Sequence, residues 1–362
     1  MNELDHLRRM RADVPEPGPE ELAMRTGWRP DGERPVSRAR PVSLLPLALS
    51  GAAVLAAAAV FAFLVLGPVD VTEPDTVSVG PAPESSDGSG STDDVMEVME
   101  PVIEAARSQN VDGGTWYTHL VQGDARGVGD AEDRYGIYGL RTWETWTVME
   151  EGTITSRAVS TDWSLLREDD RDSWERDGSP TRWPYDPDTG EEAVPEDMSD
   201  LGSPYEDQPA EYAFGTRVLT LGQVQALPSD PEELAELLLD QESPDGPRNE
   251  AMLLRPVLEY PLPPEVRAGV YTLLTRAAGV RTVEGVTDVS GRPAVGVAYD
   301  VDASPLGGYE QRILFDPQTG MLLSTELVVV EPAEANADWN RPGDVVRYDL
   351  YESMGWTDER PQ

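Results

Sequence analysis

A run of 24 residues without a charged side chain, residues 43–66, constrains this 362-residue chain more than any other feature. As a helix it would be roughly 36 Å long, which is enough to cross a hydrocarbon core of about 30 Å. Three arginines precede the run and three acids follow it: Arg34, Arg38 and Arg40, then Asp70, Glu73 and Asp75. Because positive charge favours the cytoplasmic side, the sequence predicts a single-pass protein of the cell membrane with a cytoplasmic N-terminus and an extracytoplasmic C-terminal domain.

Three other interpretations of this run are disfavoured. A cleaved signal peptide would have a short leading region, whereas about 42 residues precede this run and no small-residue cleavage site follows it. A lipid-modified lipoprotein needs a cysteine, and the chain has none. A buried helix of a soluble protein normally has a polar face, whereas residues 47–66 are apolar all round, with Ser50 the only polar side chain.

The sequence divides into four parts. Residues 1–42 form a cytoplasmic tail that has too few apolar residues for a core and is predicted to be mostly disordered. Residues 43–66 form the transmembrane helix, and residues 67–91 form a flexible linker rich in proline, serine and glycine. Residues 92–362 form an extracytoplasmic α+β domain. At about 167–211 that domain carries an acidic surface insertion with 16 acidic residues and four arginines.

The tail contains one short apolar face. Leu4, Leu7 and Met10 recur at helical spacing before a proline-rich stretch begins at Pro15. A helix with such a face can dock in a groove of another protein and become ordered on binding. These three residues are therefore the predicted contact for a cytoplasmic or membrane protein partner. The alternative is that the tail only retains the anchor through its arginines.

The charge of the chain limits its partners. The formal net charge is −40, and all of it falls on the outer part because the tail is neutral and the predicted span is uncharged. Such a field repels nucleic acid and anionic lipid headgroups, so no nucleic-acid partner is expected. The absence of cysteine excludes disulfides, cysteine-ligated zinc and thiol catalysis.

No motif in the chain predicts catalysis, a metal site or a cofactor. The two histidines are His6 in the tail and His119 in the outer part, so a histidine-rich metal site cannot form. The acidic groups at 169–172 and 186–191 do not match the oxygen spacing of an EF-hand calcium loop. An anchored cell-envelope hydrolase is kept as an alternative because many acid pairs are present, but their number makes any choice among them arbitrary.

Hydrophobic periodicity predicts helices and strands in the outer part. Helices are expected at 92–109, from Asp230 as N-cap to 239, at 250–259 and from Pro264 to Gly279. Expected strands lie at 116–122, 141–149, 153–165, 217–221, 282–289, 294–301, 311–315, 321–330 and 345–351. The helices in the middle of this order need a common apolar surface, which the last strands supply.

Aromatic residues are concentrated in the first strands. Trp116, Trp143, Trp146 and Trp163 are candidates for an apolar ligand cleft between sheet and helices, although core packing accounts for such residues equally well. Trp143 and Trp146 are three residues apart on a strand and therefore point to opposite faces. At most one of these two lines the helix-bearing side.

Several stretches resemble a family of uncharacterised actinobacterial single-pass membrane proteins. The similar stretches are 3–5, 7–9 and 11–17 in the tail and the run from 262–267 to 279–280, then 291–292 and 313–317, in the outer part. Members of that family often accompany extracytoplasmic-function sigma factors. The resemblance therefore implies a setting in envelope-stress signalling and no particular reaction.

The order of elements in the outer part also resembles, more weakly, the lipoprotein-localisation-factor fold. That resemblance implies a curved antiparallel sheet, a half-barrel, covered by helices. Function does not follow from fold alone. The tail is also too short for a typical anti-sigma domain, so direct sequestration of a sigma factor by the usual mode is not expected.

These observations favour a membrane-tethered, non-catalytic extracytoplasmic sensor or binding protein. The alternatives are a carrier or binder of lipid or lipoprotein acyl chains and the anchored hydrolase. A sensor needs its inner tail to contact a partner, whereas a carrier needs only a cavity for an apolar envelope ligand.

Overall fold

The computed structural model describes residues 92–130, 133–183, 205–214, 217–239, 249–302 and 307–361. The predicted tail with Leu4, Leu7 and Met10, the predicted span and the linker lie outside the described residues. Within the described ranges, no helix is both long and apolar enough to cross a membrane.

Six α-helices and eleven strands make up the described part of the chain. The helices are α1 (Thr92–Arg107), α2 (Arg171–Arg176), α3 (Leu221–Gln225), α4 (Pro231–Leu238), α5 (Glu250–Leu254) and α6 (Pro264–Arg276). Short 3₁₀ turns lie at Glu168–Asp170, Arg255–Glu259 and Glu334–Asn336. The strands are β1 (Thr115–Val128), β2 (Tyr135–Val148), β3 (Thr153–Leu165), β4 (Tyr205–Pro209), β5 (Glu211–Phe214), β6 (Arg217–Thr220), β7 (Arg281–Thr287), β8 (Pro293–Asp302), β9 (Gly307–Phe315), β10 (Leu322–Pro332) and β11 (Val345–Thr357).

Nine of the strands form one antiparallel sheet in the order β4-β3-β2-β1-β11-β10-β9-β8-β7, and β5 and β6 form a separate hairpin. The predicted α+β class, with an antiparallel sheet packed against helices, is confirmed. The half-barrel curvature is not confirmed, because the sheet is open and not curled. In a sheet that curls into a barrel, the register shifts steadily from one strand to the next. Here one end of β3, β2, β1 and β11 is aligned across the sheet, because Thr153 pairs with Val148, Val148 with Thr115, and Thr115 with Thr357.

Helix α1 forms because its apolar residues recur on one side. Val95, Met99, Val102, Ile103 and Ala106 are all buried, as the periodicity predicts. They join the side chains of α4, α5 and α6 in the main hydrophobic core, which covers one face of the sheet. We call this the helix-bearing face.

Local signals also place α4 and α5. The Asp230 side chain accepts hydrogen bonds from the backbone nitrogens of Glu232 and Glu233, so the predicted N-cap is confirmed. Helix α5 is shorter than predicted, because at Pro256 the chain has already tightened into the 3₁₀ turn Arg255–Glu259. Proline lacks the backbone N–H that an α-helix interior needs.

The opposite face of the sheet buries charge as well as apolar groups. The Glu310 carboxylate forms ion pairs with the guanidinium groups of Arg312 and Arg281. Glu310 and Arg312 are buried, and Arg281 is half-buried. The Glu326 carboxyl accepts hydrogen bonds from the Ser324 hydroxyl and the backbone nitrogen of Val289. The loop between β7 and β8 thus folds back over this face.

The predicted acidic insertion at 167–211 is built into the fold where the structure describes it. It contributes helix α2 and the edge strand β4, and it buries Trp174 and Trp183. The Asp170 carboxyl is buried beside Arg167, 3.1 Å from its guanidinium. Because this stretch is so rich in acids, the sequence did not indicate that these residues face inward.

Candidate functional site

The four candidate tryptophans do not gather in one cleft. Trp116 lies on the helix-bearing face and is 3% exposed, and its indole nitrogen donates a hydrogen bond to the carbonyl of Glu259 at 3.0 Å. The guanidinium of Arg267 lies 4.6 Å from its ring centre, and Trp356 packs against it edge-on. Trp116 is therefore a core residue.

Trp143 and Trp146 lie on opposite faces, as their spacing predicts, because β1 and β2 pair without a bulge. Trp146 is buried on the far face between Tyr117 and the guanidinium of Arg157. Trp143 is half-buried on the helix-bearing face, and its indole nitrogen is buried without a hydrogen bond to any described residue. Of this pair, only Trp143 can contact a ligand on that face.

Trp163 belongs to a separate aromatic cluster at the end of β3. Its ring lies 5.6 Å from that of Trp174 and 4.9 Å from that of Trp183. The indole of Trp183 donates to the Tyr135 hydroxyl, which in turn donates to the carboxylate of Asp177. These contacts attach α2 to the sheet.

A polar centre lies between the 3₁₀ turn Arg255–Glu259 and the middle of the sheet. Asp349 on β11 accepts hydrogen bonds from Gln122 at 2.8 Å, from Arg255 at 3.1 Å and from the hydroxyl of Thr325 at 3.3 Å. Arg255 is the first residue of this turn and Glu259 is its last. We call Glu259 and Asp349 the acid pair. Sequence analysis missed it, because its members are 90 residues apart in a chain rich in acids.

The pKa of Glu259 is raised to about 7, mainly by burial and then by the neighbouring charge of Asp349, while Arg255 and the Tyr351 hydroxyl oppose the shift. Glu259 as a whole residue is half-buried. A carboxyl with such a pKa changes its charge near neutral pH.

An apolar groove opens where the β5–β6 hairpin meets α3 and α4. Its volume is about 260 Å³. Its apolar walls comprise Phe214, Leu219, Ala226, Leu227, Pro228, Leu237 and Leu238. Arg217 and Gln223 supply the polar atoms at its border.

Exposure and charge distinguish this groove from ordinary surface. Leu237, one of its apolar walls, is 40% exposed. Arg217 is exposed and forms no ion pair with any residue that the structure describes, in a chain with more than twice as many acids as arginines. The groove can therefore accept an apolar chain and place an anionic group beside Arg217. Sequence analysis did not find it, because its walls come from four short elements.

The remaining sequence candidates have structural partners. His119 lies 3.4 Å from the carboxylate of Glu352, and Asp169 lies 3.6 Å from the guanidinium of Arg341. In the part of the chain that the structure describes, no three acidic or histidine side chains converge as metal ligands.

Comparisons with known proteins give no match: no family model, no curated protein and no solved structure is similar to this chain at a significant level.

Proposed function

We propose that the chain is a membrane-tethered, non-catalytic extracytoplasmic protein that binds an amphipathic ligand with an apolar chain and an anionic end. The observation that carries this proposal is the apolar groove with Arg217 at its border. Ligand sites are typically apolar concavities with a few polar groups that orient the ligand. At roughly 30 Å³ per water-sized group, the groove holds a chain of about nine carbons.

The charge of the domain supports the same ligand class. A net charge of −40 disfavours anionic ligands everywhere except beside a cation without its own partner. Arg217 is such a cation among the described residues, and a guanidinium binds carboxylate or phosphate through parallel hydrogen bonds.

The acid pair favours a binding protein over a hydrolase. A glycosidase needs two carboxyls that flank an open substrate site. Here Asp349 is 8% exposed and its oxygens already accept hydrogen bonds from Gln122, Arg255 and Thr325. Burial raises the pKa of the Glu259 carboxyl, so this group is also shielded from solvent. The pair has no open face for a sugar or peptide.

In a signalling role, ligand binding outside would be passed through the predicted span to the tail, where Leu4 and Leu7 would contact a cytoplasmic partner. In a carrier role, the groove alone would be sufficient. Recovery of the same partners by the tail before and after a Leu4→Asp, Leu7→Asp change would favour the carrier.

Photochemical labelling tests the groove. Cells that express the full chain are given a photoreactive fatty acid of about ten carbons, and crosslinked peptides are mapped by mass spectrometry. We expect crosslinks in 214–238. Ala226→Trp fills the groove and should reduce labelling several-fold, whereas Ala337→Trp, at an exposed alanine elsewhere, should not.

Arg217→Gln separates the two halves of the proposal. It should weaken labelling by the fatty acid and leave labelling by a neutral photoreactive alcohol of equal length unchanged. Equal labelling of the Ala226→Trp and Ala337→Trp chains would show that the groove does not bind the probe.

A further inference from the structure

We propose that a proton on the Glu326 carboxyl of β10 holds residues 288–292 on the sheet, so that the docking of this segment responds to the surrounding pH. We call residues 288–292 the β7–β8 loop. The inference goes beyond the proposed function, because the loop covers the face opposite the helix-bearing face and does not line the apolar groove. It rests on where the Glu326 carboxyl lies and on how the neighbouring arginines are bonded.

The Glu326 carboxyl joins the sheet to the loop. Its Oε1 atom accepts a hydrogen bond from the backbone nitrogen of Val289 at 3.1 Å and another from the Ser324 hydroxyl at 2.9 Å. Glu326 is 3% exposed, and the Val289 side chain is buried in the apolar cluster on this face. The docked loop therefore keeps water from the carboxyl, and a loop that left the sheet would expose it.

Two arginines lie in the same row across the sheet as Glu326, but both bind another acid. Arg312 on β9 is directly opposite Glu326, and its guanidinium donates to the Glu310 carboxylate at 2.5 Å. Arg281 on β7 pairs with the same Glu310 carboxylate. Among the residues that the structure describes, none forms an ion pair with Glu326.

The β7–β8 loop brings its own acid and its own cation. The Asp288 carboxylate accepts hydrogen bonds from the backbone nitrogens of Ser290 and Arg292, and it binds the Arg292 guanidinium at 2.6 Å. The other nitrogens of this guanidinium donate to one backbone carbonyl on β10 and one on β11. Arg292 therefore neutralises Asp288, and the charge of Asp288 further disfavours a carboxylate at Glu326.

The other titratable groups around Glu326 are tyrosines. Tyr348 lies directly opposite it on β11, and Tyr138 on β2 packs against Tyr348 with the ring centres 5.3 Å apart. Burial raises the pKa of both hydroxyls, so both stay neutral near pH 7. Neither tyrosine supplies a positive charge. An ionised Glu326 would thus be a buried carboxylate without a cation of its own, which is costly.

Protonation therefore stabilises the docked loop. Burial is the main cause that raises the pKa of Glu326 from 4.5 to about 7, while the Ser324 hydroxyl and Arg312 oppose the shift. Because the folded pKa lies above that of the free group, this contribution is complete below pH 4.5 and is lost as the pH rises through 7. The loop should hence leave the sheet more often above neutral pH than below it.

Hydrogen exchange with mass spectrometry on the full chain measures the docking of the loop. Exchange is followed at pH 5.5 and pH 8.5, with correction for the intrinsic exchange rates, and protection of 288–292 should be about tenfold or more lower at pH 8.5. Glu326→Gln copies the neutral carboxyl and should remove this difference. Glu331→Gln is the matched control, because Glu331 is an exposed acid on the same strand, and it should keep the difference.

A second variant keeps the test decisive if Glu326→Gln does not fold. Ser324→Ala removes a donor that favours the ionised carboxylate, so the pH at which loop protection falls should move up by about half a unit or more. The proposal is wrong if protection of 288–292 in the unchanged chain is the same at both pH values. It is also wrong if Glu326→Gln, or Ser324→Ala where that variant is used, leaves the pH response as it was.

Discussion

Single residues hold the helical layer to the sheet. Arg267 is fully buried, and it donates to the carbonyls of Leu258 and Tyr260 while its guanidinium stacks on Trp116. It thereby satisfies carbonyls at the end of the 3₁₀ turn that would otherwise lack donors. A buried arginine is normally paired with an acid, so nothing in the sequence predicts that Arg267 binds backbone.

Two features of the structure require glycine at position 320. It ends the turn 316–320 between β9 and β10 with φ +66°, and an added Cβ would lie 2.5 Å from the backbone nitrogen of Ala106 on α1. The turn chemistry was predictable from Asp316 and Pro317, but the close approach of α1 was not.

Changing Gly320 to Ala should therefore destabilise the chain by about 2–3 kcal/mol, because it combines backbone strain with a backbone clash. Gly152→Ala is the matched control. Gly152 has φ +68° but no atom within 4 Å of an added Cβ, so strain alone should cost it about 1 kcal/mol. Denaturant unfolding of both variants measures the difference. Equal losses of unfolding free energy in the two variants would mean that α1 moves away from the added methyl group at no cost.

At the scale of elements, the sequence predicted which helices and strands exist better than it predicted how long they are. The predicted strand at 141–149 begins at Tyr135, and the strand at 345–351 continues to Thr357. The added residues 135–140 pair with β1, and 137–140 pair also with β3. On β11, the added residues 353–357 pair with β1. Because a strand extends as far as its neighbours do, its ends depend on partners that local periodicity does not show.

The cap of α4 gives a test at this scale. Asp230→Ala removes the acceptor for the nitrogens of Glu232 and Glu233 and should cost about 1 kcal/mol. Asp230→Ser keeps a capping oxygen and should recover most of the stability. Since α4 supplies Leu237 and Leu238 to the groove, a Tm measured for both variants also tells whether the groove wall is held by this cap. If the two variants had the same Tm, packing alone would determine where α4 begins.

The whole described part of the chain depends on its last strand. β11 pairs with β1 on one side and β10 on the other, so it joins the meander β1–β3 to the meander β7–β10. Both meanders were predictable, since neighbouring strands in sequence usually pair. Their junction was not, because β1 and β11 are separated by more than 200 residues, and for the same reason Asp349 on β11 could not be placed beside Gln122 on β1.

Membrane topology is the prediction that concerns the molecule as a whole. The uncharged run at 43–66, with Arg34, Arg38 and Arg40 before it, predicts that everything after it lies outside the cytoplasm. A phosphatase reporter, which folds only outside, should be active when fused after Gln362, and a reporter that folds only inside should be inactive there. Replacing the three arginines by glutamate should reverse the positive-inside bias and lower phosphatase activity. An unchanged chain with cytoplasmic reporter activity would place the groove inside the cell and remove the extracytoplasmic setting of the proposed function.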